Sequence, residues 1–122
     1  MSLIEFCKKG DLEEVKDALQ RGVDVNTKGD KWIEHGQTGL MWAVENHYNS
    51  VVELLLKTPN IDVNLKEDGG WSALHRAVSR RNNEALKLLL NVQNIDVNIV
   101  TNNGYSAVHL AVSKNKNSTI RC

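Results

Sequence analysis

Several residue types are scarce in this sequence, and each scarcity excludes a class of protein. One proline and 5% aromatic residues disfavour an all-β fold, which needs many turns. The two cysteines, Cys7 and Cys122, lie too far apart to suggest a disulfide framework. The 15 basic side chains balance 15 acidic ones, so net charge gives no general attraction to nucleic acid or to an anionic membrane.

Long apolar runs are missing as well. No run approaches the ~20 residues of a membrane-spanning helix. The short apolar stretch near the N-terminus contains Glu5, unlike the apolar region of a secretory signal. With 122 residues there is room for one modest domain. We therefore expect a soluble, cytoplasmic protein with no membrane partner.

What the sequence does contain is an internal repeat. Residues 70–98 align with residues 36–64 at a constant offset of 34 positions, from the glycine that opens each segment to the Asp-Val-Asn that closes it. A further step of the same length reaches Gly104. Self-similarity at a period of ~20–50 residues is typical of proteins built from stacked repeats.

The alignment divides the chain into four copies of unequal length. Residues 2–26 form a shortened copy with many polar side chains, as expected of an N-terminal capping repeat. Residues 27–35 insert four extra positions before the next copy, which spans 36–64. Copies at 70–98 and 104–122 follow. Because the last copy stops inside its second helix, we expect a piece of a longer array or of a multidomain protein.

Each full copy predicts two helices followed by an extended turn. Thr38, Ser72 and Ser106 stand where an N-cap oxygen is needed before a short helix. The second helix contains three consecutive leucines, at 54–56 and again at 88–90. It is apolar around more than half of its circumference, as expected of a helix packed between neighbours.

This unit resembles the ankyrin repeat. The family signature T-P-L-H-x-A stands here as SALHRA at 72–77, as SAVHLA at 106–111, and more loosely as TGLMWA at 38–43. The resemblance covers nearly the whole chain. It implies an all-α repeat solenoid, with stacked ankyrin helix–turn–helix repeats joined by extended β-turn connections.

One departure from the family concerns the turn between the two helices of a copy. The glycine that is usual at this point survives only as Gly10, and later copies place His47, Arg81 and Asn115 near it. Asparagine tolerates the left-handed conformation, whereas arginine there costs roughly 1–2 kcal/mol. We therefore expect strain at Arg81 unless the turn is rebuilt.

The reactive side chains form no catalytic or metal-binding pattern. No second ligand lies at metal-binding spacing from His75 or His109, and in ankyrin repeats the matching histidine bonds to the signature serine or threonine and to nearby backbone. The serines lack a nucleophile-elbow context, and no Gly-Lys-Ser/Thr follows the glycine pair 69–70. Cys7 aligns with valines and is expected to be buried. We expect no enzyme, no metal site and no cofactor.

The resemblance implies that the chain binds another protein through the tips of its turns and the exposed concave side of its first helices. Aromatic and arginine side chains contribute most of the binding energy at such interfaces. The matching tip positions are Glu34, Gln37, Asp68, Trp71, Asn102 and Tyr105, and the helix positions are Glu45, Asn46, Ser79, Arg80, Ser113 and Lys114.

The aromatic side chains leave alternatives open. Trp32 and Ile33 belong to the insertion, where Trp32 is either a binding anchor or a cover over the helices of the first copy. Trp71 and Tyr105 either face the partner or pack across the neighbouring turn. The sequence supports both readings in each case.

A second function is open at the turn around Trp71. Residues 67–75 resemble a turn of oligoadenylate-dependent ribonuclease, where a tryptophan stacks on adenine. Such stacking is worth about 1–3 kcal/mol per base. Residues 101–103 stand where that ribonuclease has lysine, so a cation for the phosphates is missing and nucleotide binding is the weaker alternative.

Three repeat exits match a modification site. Asn26, Asn64 and Asn98 each close an Asp-Val-Asn segment that resembles the ankyrin sites of asparaginyl hydroxylation. The pattern predicts what could be done to the protein and does not predict what the protein binds.

Overall fold

The chain folds into a stack of helix pairs, as the repeat predicts. The structure is a computed structural model that describes residues 2–118, with side chains up to residue 112. Within that part it has no strand, only two isolated β-bridges. The helices are α1 (Leu3–Lys9), α2 (Leu12–Gln20), α3 (Gly39–Glu45), α4 (Asn49–Leu56), α5 (Ala73–Ser79), α6 (Asn83–Leu90) and α7 (Ala107–Ser118).

Side-chain oxygens cap α3 and α5 at the positions that the sequence indicates. The hydroxyls of Thr38 and Ser72 accept from the backbone N–H groups of Met41 and His75, at 3.3 and 3.4 Å. Asn82 caps α6 in the same way. Caps of this kind stabilise a helix by about 1 kcal/mol, which matters for helices of only two turns.

The core lies between two rows of helices. α1, α3, α5 and α7 pack side by side in an inner row, and α2, α4 and α6 pack in an outer row. Because each pair covers only one side of its neighbour, the apolar core runs along the whole stack. Its most deeply buried side chains include Cys7, Val44, Val52, Leu55 and Leu89.

The extended turns lie side by side along one edge of the stack. We call this the turn edge, and it comprises residues 27–38, 65–72 and 99–106. Backbone hydrogen bonds join successive turns, since the Asp68 N–H donates to the His35 carbonyl at 2.9 Å. The Asn102 N–H donates to the Gly69 carbonyl at 3.0 Å. The three turns therefore form one continuous surface.

Asparagine side chains join the repeats at their exits. Asn26 accepts from the Asp62 N–H at 2.7 Å and donates to the Asn60 carbonyl at 2.8 Å. Asn64 makes the same two bonds to the following repeat, at 2.8 and 2.9 Å. The first two Asp-Val-Asn exits thus fix the first repeat against the second and the second against the third.

His75 joins the third repeat to the fourth. Its Nδ1 accepts from the Ser72 N–H at 3.1 Å, so the ring proton is on Nε2, which donates to the Tyr105 carbonyl at 2.9 Å. Burial lowers the pKa of His75 below its ordinary value, and the bond to the Tyr105 carbonyl only partly opposes this. The neutral ring is therefore part of the folded state.

The turn between the two helices of each pair contains one residue in the left-handed conformation. Gly10 has φ 70°, and the corresponding His47 and Arg81 have φ 61° and 54°. The turn is not rebuilt to suit these side chains, so the strain expected at Arg81 is present. At Gly10 an added Cβ would lie 2.7 Å from the Tyr48 ring, so glycine is required there for space as well as for conformation.

The fourth copy departs from the prediction. α7 continues without a break through Asn115, whereas α3 and α5 end after seven residues. In the earlier copies the second helix packs back against the first and fixes the turn between them, and within residues 2–118 the fourth copy has no second helix. Val108 and Val112 are accordingly 65% and 59% exposed. The predicted end at Cys122 lies outside the described residues.

Replacing Arg81 with glycine is expected to stabilise the protein. The change removes the Cβ strain of a left-handed residue, for a net gain of about 1 kcal/mol after the larger unfolded-state entropy of glycine. Urea denaturation of wild type, R81G and R81A measures it. R81A is the matched control because it removes the charge and keeps the strain. Equal stability of R81G and R81A would contradict the prediction.

His75 is expected to make stability depend on pH. Because its folded pKa is lowered, its contribution is full above the unfolded pKa of about 6.5 and is lost as the pH falls below it. His75→Gln should cost about 1–3 kcal/mol at pH 7.5 through lost hydrogen bonds. It should also lose less further stability than wild type between pH 7.5 and 5.0. Urea titrations at both pH values test this, and an identical loss in both proteins would exclude the role.

Candidate functional site

Two aromatic side chains occupy the same position of successive turns on the turn edge. Trp71 is half-buried, with its ring centre 5.7 Å from the His75 ring and 5.1 Å from the Arg76 guanidinium carbon. Tyr105 is 52% exposed and meets the His109 ring edge-on at 6.2 Å. Trp71 therefore packs on the helix of its own repeat, while Tyr105 presents half of its surface to solvent.

An ion-pair network supports the Trp71 ring. Arg76 donates to Glu45 of the preceding repeat at 3.0 Å and to Glu67 of its own turn at 3.1 Å. Arg80 reaches the other oxygen of Glu45 at 3.5 Å. Sequence reasoning did not find this network, because Glu45 and Arg76 are 31 residues apart and no local pattern joins them. Its consequence is a fixed platform under Trp71.

The predicted binding residues divide by exposure. Trp71 and Ser79 are half-buried, and the side chains of Glu34 and Glu45 are mostly buried. Ser113 and Lys114 belong to α7, but their side chains lie outside the described part. The exposed residues are Trp32, Ile33, Asn46, Asp68, Arg80, Asn102 and Tyr105.

Three of the predicted contacts are corrected by the structure. Gln37 is only 4% exposed, so its prediction as a tip residue was wrong. The Gln37 carbonyl accepts from the Gly29 N–H at 2.8 Å, as the Trp71 carbonyl accepts from the Glu67 N–H at 2.9 Å. The backbone is therefore placed as in the next turn, while the Gln37 side chain is buried. The side chains of Glu34 and Glu45 are each more than four-fifths buried, and their carboxylates are paired with lysine or arginine of this chain. These two side chains stabilise the surface and are not open to a partner.

The insertion does not cover the first repeat. Trp32 is 81% exposed and Ile33 is 72% exposed, so the alternative in which Trp32 packs over the first helices is wrong. The ring of Trp32 has the ammonium of Lys31 5.6 Å from its centre. Two large apolar side chains therefore stand in solvent at the start of the turn edge.

Cys7, the described cysteine, is buried in the apolar core. Burial raises the pKa of the Cys7 thiol to about 12, so almost no nucleophilic thiolate exists at neutral pH. Among the described residues, no group of three or more His, Cys, Asp or Glu is placed to hold a metal ion. No helix in residues 2–118 is both long and apolar enough to cross a membrane.

The geometry around Trp71 does not favour nucleotide binding. An adenine stacked on the ring would compete with Arg76 and His75, which already contact it. The charge of Arg76 is shared by two carboxylates, Glu45 and Glu67, so little of it is available to a phosphate. No contact in the described chain gives this alternative specific support.

The three candidate hydroxylation sites differ in accessibility. Asn26 and Asn64 are half-buried and use both side-chain atoms to hold the next repeat. Asn98 is exposed. Modification remains a prediction at all three, and Asn98 is the most accessible of them.

Comparison with known proteins leads to the family that the geometry indicates. The family model described as ankyrin repeats (3 copies) matches residues 2–67 and 40–121, nearly the whole chain. A 26S proteasome non-ATPase regulatory subunit 10 of Dictyostelium discoideum is 37% identical over 73 residues, which is 59% of this chain and 30% of that protein. The present sequence thus spans less than a third of that relative. With its stacked helix pairs and its edge of joined turns, the chain belongs to the ankyrin repeat family.

Proposed function

We propose that the chain is a non-catalytic, intracellular scaffold that binds a partner protein along the turn edge and the adjoining side of α3 and α5. The observation that carries the proposal is the grouping of Tyr105, Trp71 and Arg80 on a frame fixed by hydrogen bonds between repeats. Ankyrin repeats generally mediate binding between proteins. The relative named as a non-ATPase regulatory subunit of the proteasome supports the same class of role and an intracellular location.

The two arginines of this surface differ in how freely their charge can reach a partner. Arg76 is held by its two carboxylates, whereas the Arg80 side chain is 53% exposed and only loosely paired to Glu45 at 3.5 Å. A surface pair of this kind contributes about 0–1 kcal/mol, so Arg80 can turn to a carboxylate of the partner at little cost. Arginine and aromatic side chains are the usual composition of an energetic centre in an interface.

Truncating the side chains of this centre is expected to reduce partner recovery. In affinity capture from the native host, followed by quantitative mass spectrometry, Arg80→Ala and Tyr105→Ala should each reduce the captured partner about tenfold, and Trp71→Ala at least as much. Each truncation removes an aromatic or charged contact from the interface. The folded state is checked by circular dichroism and melting temperature.

Lys57→Ala is the matched control, because Lys57 is exposed at the end of α4 in the outer row. It should capture the partner as well as wild type does. If all four variants recover the same proteins in the same amounts, the turn edge is not the binding surface. Loss of capture in K57A alone would place the interface on the outer row.

A further inference from the structure

The tip of the insertion displays two apolar side chains. Trp32 and Ile33, at 81% and 72% exposure, are the most exposed large apolar residues of the described chain. Single exposed apolar residues are common on protein surfaces, whereas an adjacent tryptophan and isoleucine on a projecting turn suggest a contact site.

The chain holds this tip in place with its own hydrogen bonds. One carboxylate oxygen of Asp30 accepts from the Trp32 N–H at 2.7 Å and from the Ile33 N–H at 3.0 Å. The Glu34 carboxylate accepts from the Asp30 N–H at 2.6 Å and pairs with Lys8 on α1 at 3.5 Å. The backbone that carries the two side chains is thus held in place, so little entropy is lost in ordering the tip when a partner binds it.

The acidic and basic groups around the tip differ in whether they are already bonded within the chain. The acidic groups Asp30 and Glu34 are directed to backbone N–H groups and to Lys8. Lys28 and Lys31 are exposed, and within the described residues neither is paired with a carboxylate. The charge offered to a partner around Trp32 is therefore positive.

We propose that the Trp32–Ile33 tip inserts into an apolar pocket with an acidic rim on the partner protein. This rests on the proposed function. The insertion is joined to the next turn by the bond from the Asp68 N–H to the His35 carbonyl, so a partner that lies along the turn edge also reaches the tip. A projecting pair of side chains needs a concave receptor. A second copy of the chain is a poor receptor, because two facing tips bury far less than the ~1,600 Å² of a standard interface.

Photo-crosslinking within the native host tests the assignment. A photoreactive phenylalanine analogue replaces Trp32 in the full chain, and the control carries it at Glu13, an exposed position of α2. The expected result is one partner protein cross-linked from position 32 and absent from position 13. That protein is then purified, and its dissociation constant is measured by calorimetry with unlabelled variants.

Trp32→Ser is expected to weaken binding to the purified partner at least ~30-fold, as for a buried aromatic at the centre of an interface. The double change Lys28→Glu and Lys31→Glu should weaken binding to the partner more at low salt than at 0.5 M NaCl. Melting temperatures of the variants should match wild type, since all three side chains are exposed.

Several results would overturn the inference. If W32S binds like wild type while Arg80→Ala binds weakly, the tip is not an anchor and the proposed function stands. If W32S and Arg80→Ala both bind like wild type, both proposals fail. Identical cross-links from positions 32 and 13 also overturn it. Sedimentation with phosphatidylcholine–phosphatidylserine vesicles that depends on Trp32 would instead assign the tip to a lipid surface.

Discussion

The structure depends on one constraint, which is that no single repeat can bury its own apolar face. A pair of two-turn helices leaves Leu55 or Leu89 open until a neighbour covers it, so stability comes from contacts between repeats. Directional bonds then fix the spacing of the stack. Asn26 and Asn64 hold the exits, and His75 holds the carbonyl of Tyr105. The apolar contacts drive stacking, and these polar bonds set its register.

The same constraint explains where the chain tolerates unfavourable residues. Arg81 and His47 keep a left-handed conformation because the second helix of each pair must return against the first. Strain of about 1–2 kcal/mol is small beside the apolar surface that this return buries. Where no second helix packs within residues 2–118, α7 continues as one helix. Packing between elements, and not local preference, decides these turns.

The sequence predicts the frame well and the surface less well. The period of 34 residues, the cap positions at Thr38 and Ser72, and the buried leucines follow from local rules that operate the same way in every copy. The platform of Arg76 between Glu45 and Glu67 could not be predicted, because it joins side chains from two repeats. Gln37 was misplaced because alignment predicts the backbone position, which the first turn shares with the others, and does not predict how deeply the side chain is buried.

Native-state amide hydrogen exchange tests the stacking account most directly. If contacts between repeats hold the protein together, the amides of α3, α4, α5 and α6 should exchange slowest and share one opening free energy, close to that of global unfolding. The amides of α7, against which no outer helix packs within residues 2–118, should exchange much faster. Separate opening free energies for each helix pair, or amides of α3 and α4 as labile as those of α7, would contradict the account.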